Sequence, residues 1–580
     1  MRSRRPAGPS KLQPLALALA EHVRPGMHLC FASTPSRSNA AIRELARLFR
    51  GQRPELTLAA TGFHSLAHLL GLQRLGHRYI GCFFGDNYPT PRANRLYSEL
   101  ARDGAELEHW SLWSYVSALS AGAFGHPYAL TRSLAGTSLG AALAARGKLV
   151  EVPDPADAER QLALVKALVP DITFVHAPLG DAQGNLAFSP PYGEGFHGAL
   201  AARRGVIATV ERIVPTELLH GLPHLRPLPA HRLLAVCEEP FGAHPQPLHV
   251  SAPELRVHES GYYDDFAAYR QWRGFSEDAP RFDEFVEQVL HAPDGGAAYR
   301  SWVGASRLEA LRTPPRFAAL TPVAVTSSTE LEPTDELVLL AGRALARRIQ
   351  EGGHRSLLAG IGQAFAACRL AKLLLGERGA AVELMVETGF CDIDVAEADP
   401  FLLSRSNVAS AARLTSIDSV LGALCCGGAA RCLGVIGAAE VDVEGNVNST
   451  SLAGELLVGG GGAPDIAACA SEVMVLTRAD PRRLVKKVEY CTSRGLNVRC
   501  IVTEACVFER SGLGEPWIVR EIVASRADTF KALLSTSGFR FAIPGPPPLA
   551  PPVEAHELEL LASLRLREPA GSQTSEVPRG

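Results

Sequence analysis

Short aliphatic runs alternate with stretches in which apolar residues recur every third or fourth position, and Gly, Pro and Asn punctuate the boundaries. In the first half this pattern predicts strands at residues 27–32, 56–61 and 79–84 and helices at 39–49, 65–72 and 92–103. A further strand at 172–176 leads into a turn-rich loop with Asp181, Gly184 and Asn185, and a β-rich run follows at 203–214. Strands alternating with helices in this way predict an α/β sheet with crossover helices. Residues 245–312 turn to aromatic and charged helix (YYDDFAAYRQWRGF, FDEFVEQVL), which reads as a domain end followed by a packing arm.

The sharpest unit spans residues 354–390. An apolar run at 356–359 precedes Gly360 and Gly362, an amphipathic helix is predicted over about 363–375, and a second run at 382–386 delivers Glu387 at its end. In a parallel sheet the carboxyl ends of the strands are where ligands sit, because the loops diverge there. Glu387 is therefore a candidate nucleophile beside a glycine turn, although position alone favours a solvated loop carboxylate.

The second half repeats the first in outline. FVHAPLGDAQGNLAFSP and VIGAAEVDVEGNVNSTSL share a D-x-x-G-N spacing, Asp181/Gly184/Asn185 and Asp442/Gly445/Asn446. One such match is only a turn signature. Two, at corresponding places, predict two related open α/β domains in tandem, from duplication or from fusion of two subunits. The boundaries are set at 11–312 for the first domain, 313–334 for a proline-bearing linker, 335–545 for the second domain and 546–580 for a Pro-rich tail. Thr334, with Glu336 in the first turn, reads as the cap of the helix that opens the second half. The tail is expected to be disordered apart from a short helix near 557–566.

Composition narrows the function. A net charge of −3 and 46% hydrophobic residues leave no basic field for nucleic acid. No apolar run approaches the roughly 18 residues of a membrane span. The amino-terminal segment imitates a signal peptide, but LALALAEHV reads as an amphipathic helix running on towards a strand, so a cytoplasmic protein is expected. Twelve cysteines lack paired spacing, and His64, His68, His126, His176 and His197 lack ligand spacing, so no metal site is expected. A G-x-S-x-G elbow is absent. Partners are then small molecules or copies of the chain itself.

Two further stretches could carry chemistry. GGGGAPD places Gly459, Gly460, Gly461 and Gly462 before a helix, where bare amides can approach an anion; a flexible surface loop is the plain alternative. GHPYALTRSLAGTSLG sets Arg132 among small hydroxyls and could line a carboxylate or CoA site; a turn and helix start is the alternative.

The second half, through GIG, VETGF, GAAEVDVEGNVNSTSLAGE, GGGGAPDIAACA, VKKVEYCTSRG and IVTEACVFE in that order, resembles the β subunit of family I CoA-transferases of the glutaconate CoA-transferase type. The first half resembles the α subunit through GHPYALTRSLAGT, PDITFVHAPLGDAQGN and ARRGVIATVERIV. The resemblance implies fused α-like and β-like domains of the CoA-transferase (NagB/RpiA-like) class. It also implies a ping-pong transfer of CoA from an acyl-CoA to a free carboxylic acid through a glutamyl-CoA thioester on Glu387. Coenzyme A is then a substrate, no bound cofactor is implied, and the fused chain is expected to form a homodimer. Glu387 needs only an ordinary carboxylate pKa, since a thioester is already activated. Gly360 and Gly362, or Gly460, Gly461 and Gly462, are the implied oxyanion donors, and Arg132, Ser138 and Asn446 the implied acyl pocket. Two departures bear on that pocket: Ser138 stands where the family leads one to expect an acid, and LCFASTPSRS is poorer in glycine. A hydrolase or lyase on the same scaffold, and a non-catalytic acyl-CoA or sugar-phosphate binder, are the alternatives.

Overall fold

The computed structural model describes residues 9–315, 331–543 and 545–564. The first half is built on parallel strands β1 (His28–Pro35), β2 (Leu56–Ala59), β3 (Gly76–Gly81), β4 (Glu106–His109), β5 (Ile172–Gly180), β6 (Gly205–Ile213) and β7 (Leu233–Glu238), ordered β7-β6-β5-β1-β2-β3-β4. Parallel neighbours need crossovers, which helices such as Asn39–Leu48 supply. Strand β5 is buried along its whole length, as expected of ITFVHAPLG, an apolar run without alternation.

The second half places β8 (Ser356–Ala359), β9 (Glu383–Val386), β10 (Cys432–Gly437), β11 (Glu472–Leu476) and β12 (Val498–Val502) in the parallel order β9-β8-β10-β11-β12, with short, mostly antiparallel strands added at both edges. The helices that matter below are α1 (Leu112–Phe124), α2 (Pro333–Gly352), α3 (Gln363–Glu377), α4 (Ala463–Cys469) and α5 (Ala555–Leu564).

In each half the strand that leads to the D-x-x-G-N loop lies beside the strand that opens the half, β5 beside β1 and β10 beside β8. The two loops fold alike. Asp181 Oδ1 accepts from the amides of Gln183 at 2.9 Å and Asn185 at 2.8 Å, and Asp442 Oδ1 from those of Glu444 at 3.0 Å and Asn446 at 2.9 Å. Gly184 and Gly445 take the positive φ the turn requires, 90° and 81°. The chain is thus two related open α/β domains in tandem.

Several expectations change. Helix α2 starts with Pro333 in its first turn and has no side-chain cap; Thr334 Oγ1 instead accepts from Arg478 Nη2 at 3.0 Å. Most of the predicted linker, residues 316–330, and residues 565–580 of the predicted tail lie outside the described residues. Within the described part of the Pro-rich stretch the chain is packed, not loose. The Ile522 amide donates to Pro548 O at 3.0 Å and the Ala550 amide to Ile522 O at 2.7 Å, so the prolines contribute carbonyls while their neighbours donate. Helix α5 buries Leu561 and Leu564, and Glu557 pairs with Arg343.

The aromatic segment after residue 245 does act as an arm. Trp272 and Tyr299 are sealed in the first half's core. Phe266 stacks on Tyr88 with ring centroids 4.4 Å apart and meets Phe401 of the second half edge-on at 5.9 Å. Helix Leu15–His22, read from LALALAEHV, packs Leu15, Ala18 and Leu19 into the core. Among the described residues no helix is long and apolar enough to cross a membrane.

Candidate active site

Strands β8 and β9 are parallel neighbours, so the turn after one and Glu387 after the other open into the same crevice. A cavity of about 570 Å³ fills it, with walls from both halves: Ile361, Glu387 and the glycine segment from the second, Ser33, Arg37, Thr61 and His64 from the first.

Glu387 is partly open to this cavity and makes no hydrogen bond or ion pair to another described residue. Burial pushes its pKa up to about 7. An ordinary carboxylate pKa would suffice for attack on a thioester, but here the covering walls and glycine segment remove the water that would stabilise the anion.

The four glycines form a seam between the halves. Phe84 of the first half donates its amide to Val458 O at 2.7 Å, Gly461 donates to Cys82 O at 3.0 Å, and Leu112 donates to Gly461 O at 2.9 Å. A Cβ on Gly459 would stand 2.8 Å from Cys82 O, and one on Gly462 would overlap Glu387 Oε2. Glycine is needed here for close approach. Just beyond, Asp465 on α4 accepts from Ser111 Oγ at 2.6 Å and from the Trp113 amide at 2.8 Å, and so caps the first half's helix α1. Burial pushes Asp465 up to about 7, against the pull of these hydrogen bonds.

The glycines singled out in the sequence separate into two groups. The Gly360 amide donates to Val435 O at 2.8 Å and the Gly461 amide to Cys82 O, so both are engaged. Among the described residues the amides of Gly460 and Gly462 have no acceptor, and both residues line the cavity. Gly362 heads α3 at a φ of 76° and is not part of the cavity wall.

The three side chains expected in the acyl pocket lie elsewhere. Asn446 is locked in its own turn, its amide nitrogen on Asp442 Oδ2 at 3.1 Å and its Oδ1 accepting from Gly495 at 3.0 Å. Ser138 pairs across the seam with Cys491, whose amide donates to Ser138 Oγ at 2.9 Å. Arg132 lines a separate, smaller cavity. A turn-forming Asn and two seam residues look like pocket residues in sequence because turns and seams also favour small polar side chains.

The first half's contribution was missed. Arg37, just after β1, is 4% exposed. Its Nε donates to Asn39 Oδ1 at 3.0 Å, Nη1 to Gly62 O at 2.8 Å and Nη2 to His64 O at 3.1 Å. Burial lowers its pKa to about 10. The acid whose charge acts on it, the fully buried Glu194, is pushed up to about 8 by burial, against the opposing pull of the Ser33 amide and Arg37. Arg37 forms no ion pair with a described residue, so the cavity wall carries a buried guanidinium with no carboxylate joined to it. The signal was present: S-R-S follows β1 at the place that G-I-G follows β8.

The fold and this cleft define a two-domain protein with a carboxylate set at the seam of its halves. The coenzyme A transferase family model matches residues 13–228. One of the two subunits of the 3-oxoadipate CoA-transferase of Pseudomonas knackmussii is 31% identical over 186 residues, covering 32% of this chain and 60% of that protein. The other subunit of that enzyme is 31% identical over 111 residues, covering 16% and 42%, so the chain spans only part of either relative's length. The acyl-CoA transferase YdiF of Escherichia coli O157:H7 superposes with a TM-score of 0.64 at 17% identity, over 95% of this chain and 97% of that one. The first half thus matches the coenzyme A transferase family model, and the whole chain shares its fold with the YdiF structure.

Proposed function

We propose that this protein moves coenzyme A between an acyl-CoA and a free carboxylic acid through a thioester on Glu387. The observation that carries the proposal is a desolvated carboxylate at the end of β9, unpaired among the described residues and sharing a cavity wall with Gly460 and Gly462, whose amides have no acceptor among the described residues.

Ionised Glu387 attacks the thioester carbonyl, and the oxygen that becomes anionic is received by the Gly460 and Gly462 amides; each such donor is worth on the order of 3 kcal/mol. Collapse expels the CoA thiolate and leaves an acyl-glutamyl anhydride. The thiolate returns to the glutamyl carbonyl, releasing the acyl carboxylate and forming the glutamyl-CoA thioester. An acceptor carboxylate then runs the sequence in reverse, takes the CoA and frees Glu387. A carboxylate held near pKa 7 is more basic than an exposed one and has little hydration to shed. The buried Arg37 guanidinium, which has no ion pair with a described residue, supports acyl groups that bear a second acid, which would supply its counter-charge. Residues 11–312 then serve the acyl group and residues 335–545 the nucleophile.

The test is chemical. The protein is mixed with candidate acyl-CoAs and reduced with borohydride, and the mass change is mapped; reduction at Glu387 is expected. Full transfer by Glu387→Ala would overturn the mechanism, and CoA release to water with no carboxylate acceptor would mark a hydrolase instead.

A further inference from the structure

A second cavity, of about 110 Å³, lies at the same seam. Helix α4 borders both: Ala463 faces the catalytic cavity, while Pro464 and Ala468 line the second. Three arginines converge on it, Arg132 and Arg160 from the first half and Arg494 from the second. Arg160 is held by Asp157 at 3.0 Å. Arg132 and Arg494 make no hydrogen bond or ion pair with a described residue, and the Nε of Arg494 is buried without an acceptor. Arg132 also lies close enough to the Cys426 thiol to lower its pKa, behind the larger effects of hydrogen bonds from Cys425 and Cys469.

Negative charge in the wall is scarce. Asp154 is the only carboxylate among the described lining residues, and its Oδ1 already accepts from the Ala156 amide at 2.9 Å. Glu151, next to the wall, accepts from the Gly136 amide at 2.8 Å. Gly136 takes a φ of 69°, and a Cβ there would stand 3.4 Å from Arg494 Nη1, so the first half's backbone comes close to the second half's guanidinium. A buried guanidinium N–H without an acceptor is unfavourable, and the forked donors of arginine match a tetrahedral oxyanion two at a time.

We propose that this seam pocket binds a phosphate-type oxyanion between Arg132 and Arg494. The cavity is too small for a whole nucleotide, so the ligand is one phosphate group, either free phosphate or a phosphate of coenzyme A reaching past α4. Bound there, it ties the two halves together beside the helix whose first turn borders Glu387. The proposal does not depend on the transferase reading, because its readout is binding.

Wild-type protein and the Arg132→Met/Arg494→Met variant are titrated calorimetrically with inorganic phosphate, with coenzyme A and with 3′-dephospho-coenzyme A. If the anion is free phosphate, phosphate affinity falls by about ten-fold or more in the variant while coenzyme A affinity stays level. If it belongs to coenzyme A, the coenzyme loses about ten-fold or more; a loss that disappears with the dephospho form assigns the 3′-phosphate, and an equal loss assigns the diphosphate. Should the double variant fail to fold, Arg132→Met, at an exposed side chain, is expected to show the same pattern with a loss of about three-fold or more. A folded variant whose phosphate and coenzyme A affinities both match wild type overturns the proposal.

Discussion

The carboxylate of Glu387 packs against Gly462 so tightly that a single methyl group on that glycine would occupy the place of Oε2. The carboxylate's position is thus set by a residue 75 positions away in sequence, on a segment hydrogen-bonded to the other half of the molecule.

Gly462→Ala should therefore displace the carboxylate without unfolding the protein. Transfer activity is expected to fall by about 100-fold or more, since a displacement of about 1 Å at a reacting group is that costly. Circular dichroism and the melting temperature should stay close to wild type. Gly376→Ala, in α3 where a Cβ would meet nothing within 4 Å, serves as the control and should keep full activity. Equal activity in the two variants would contradict the packing described.

The raised pKa of Glu387 gives two linked expectations. In the proposed mechanism the anion attacks, so kcat/KM should climb as pH rises through about 7 and level off above it. For stability the sign is opposite. Folding favours the protonated form, so this contribution is complete below the ordinary carboxylate pKa of about 4.3 and is lost as pH rises through about 7. Denaturant titrations should find Glu387→Gln and wild type alike near pH 4, and the variant more stable at pH 8 by up to about 3 kcal/mol, less for the exposure the side chain retains.

Asp465 holds α1 from across the seam. Asp465→Ala would leave the Ser111 hydroxyl and the Trp113 amide without their acceptor, and unfolding stability should drop by about 2–3 kcal/mol. Asp465→Asn keeps a carbonyl for the Trp113 amide and should lose less. An unchanged melting temperature in Asp465→Ala would show that the cap is not a stabilising contact.

Arg37 tests the acyl pocket. Arg37→Met should raise KM by about ten-fold or more for acyl groups bearing a second acid, and leave KM for plain monocarboxylates unchanged. A uniform effect on both classes would assign Arg37 to holding the loops of Gly62 and His64 instead.

Local pattern alone determined the tandem α/β architecture. The strand at 356–359, the start of α3 at Gln363 and the delivery of Glu387 at a strand end all follow from periodicity and glycine placement, which act over a few residues. The twin D-x-x-G-N turns were legible for the same reason: an Asp accepting from amides two and four residues ahead is a short-range device. Only tertiary structure decided which glycines keep free amides, because Gly461 is engaged by Cys82 of the other half while Gly460 beside it is not. Only tertiary structure removed Arg132, Ser138 and Asn446 from the cavity and put Arg37 there. It also raised the pKa of Glu387, since desolvation depends on everything that surrounds a carboxylate and nothing in its neighbours along the chain reports it.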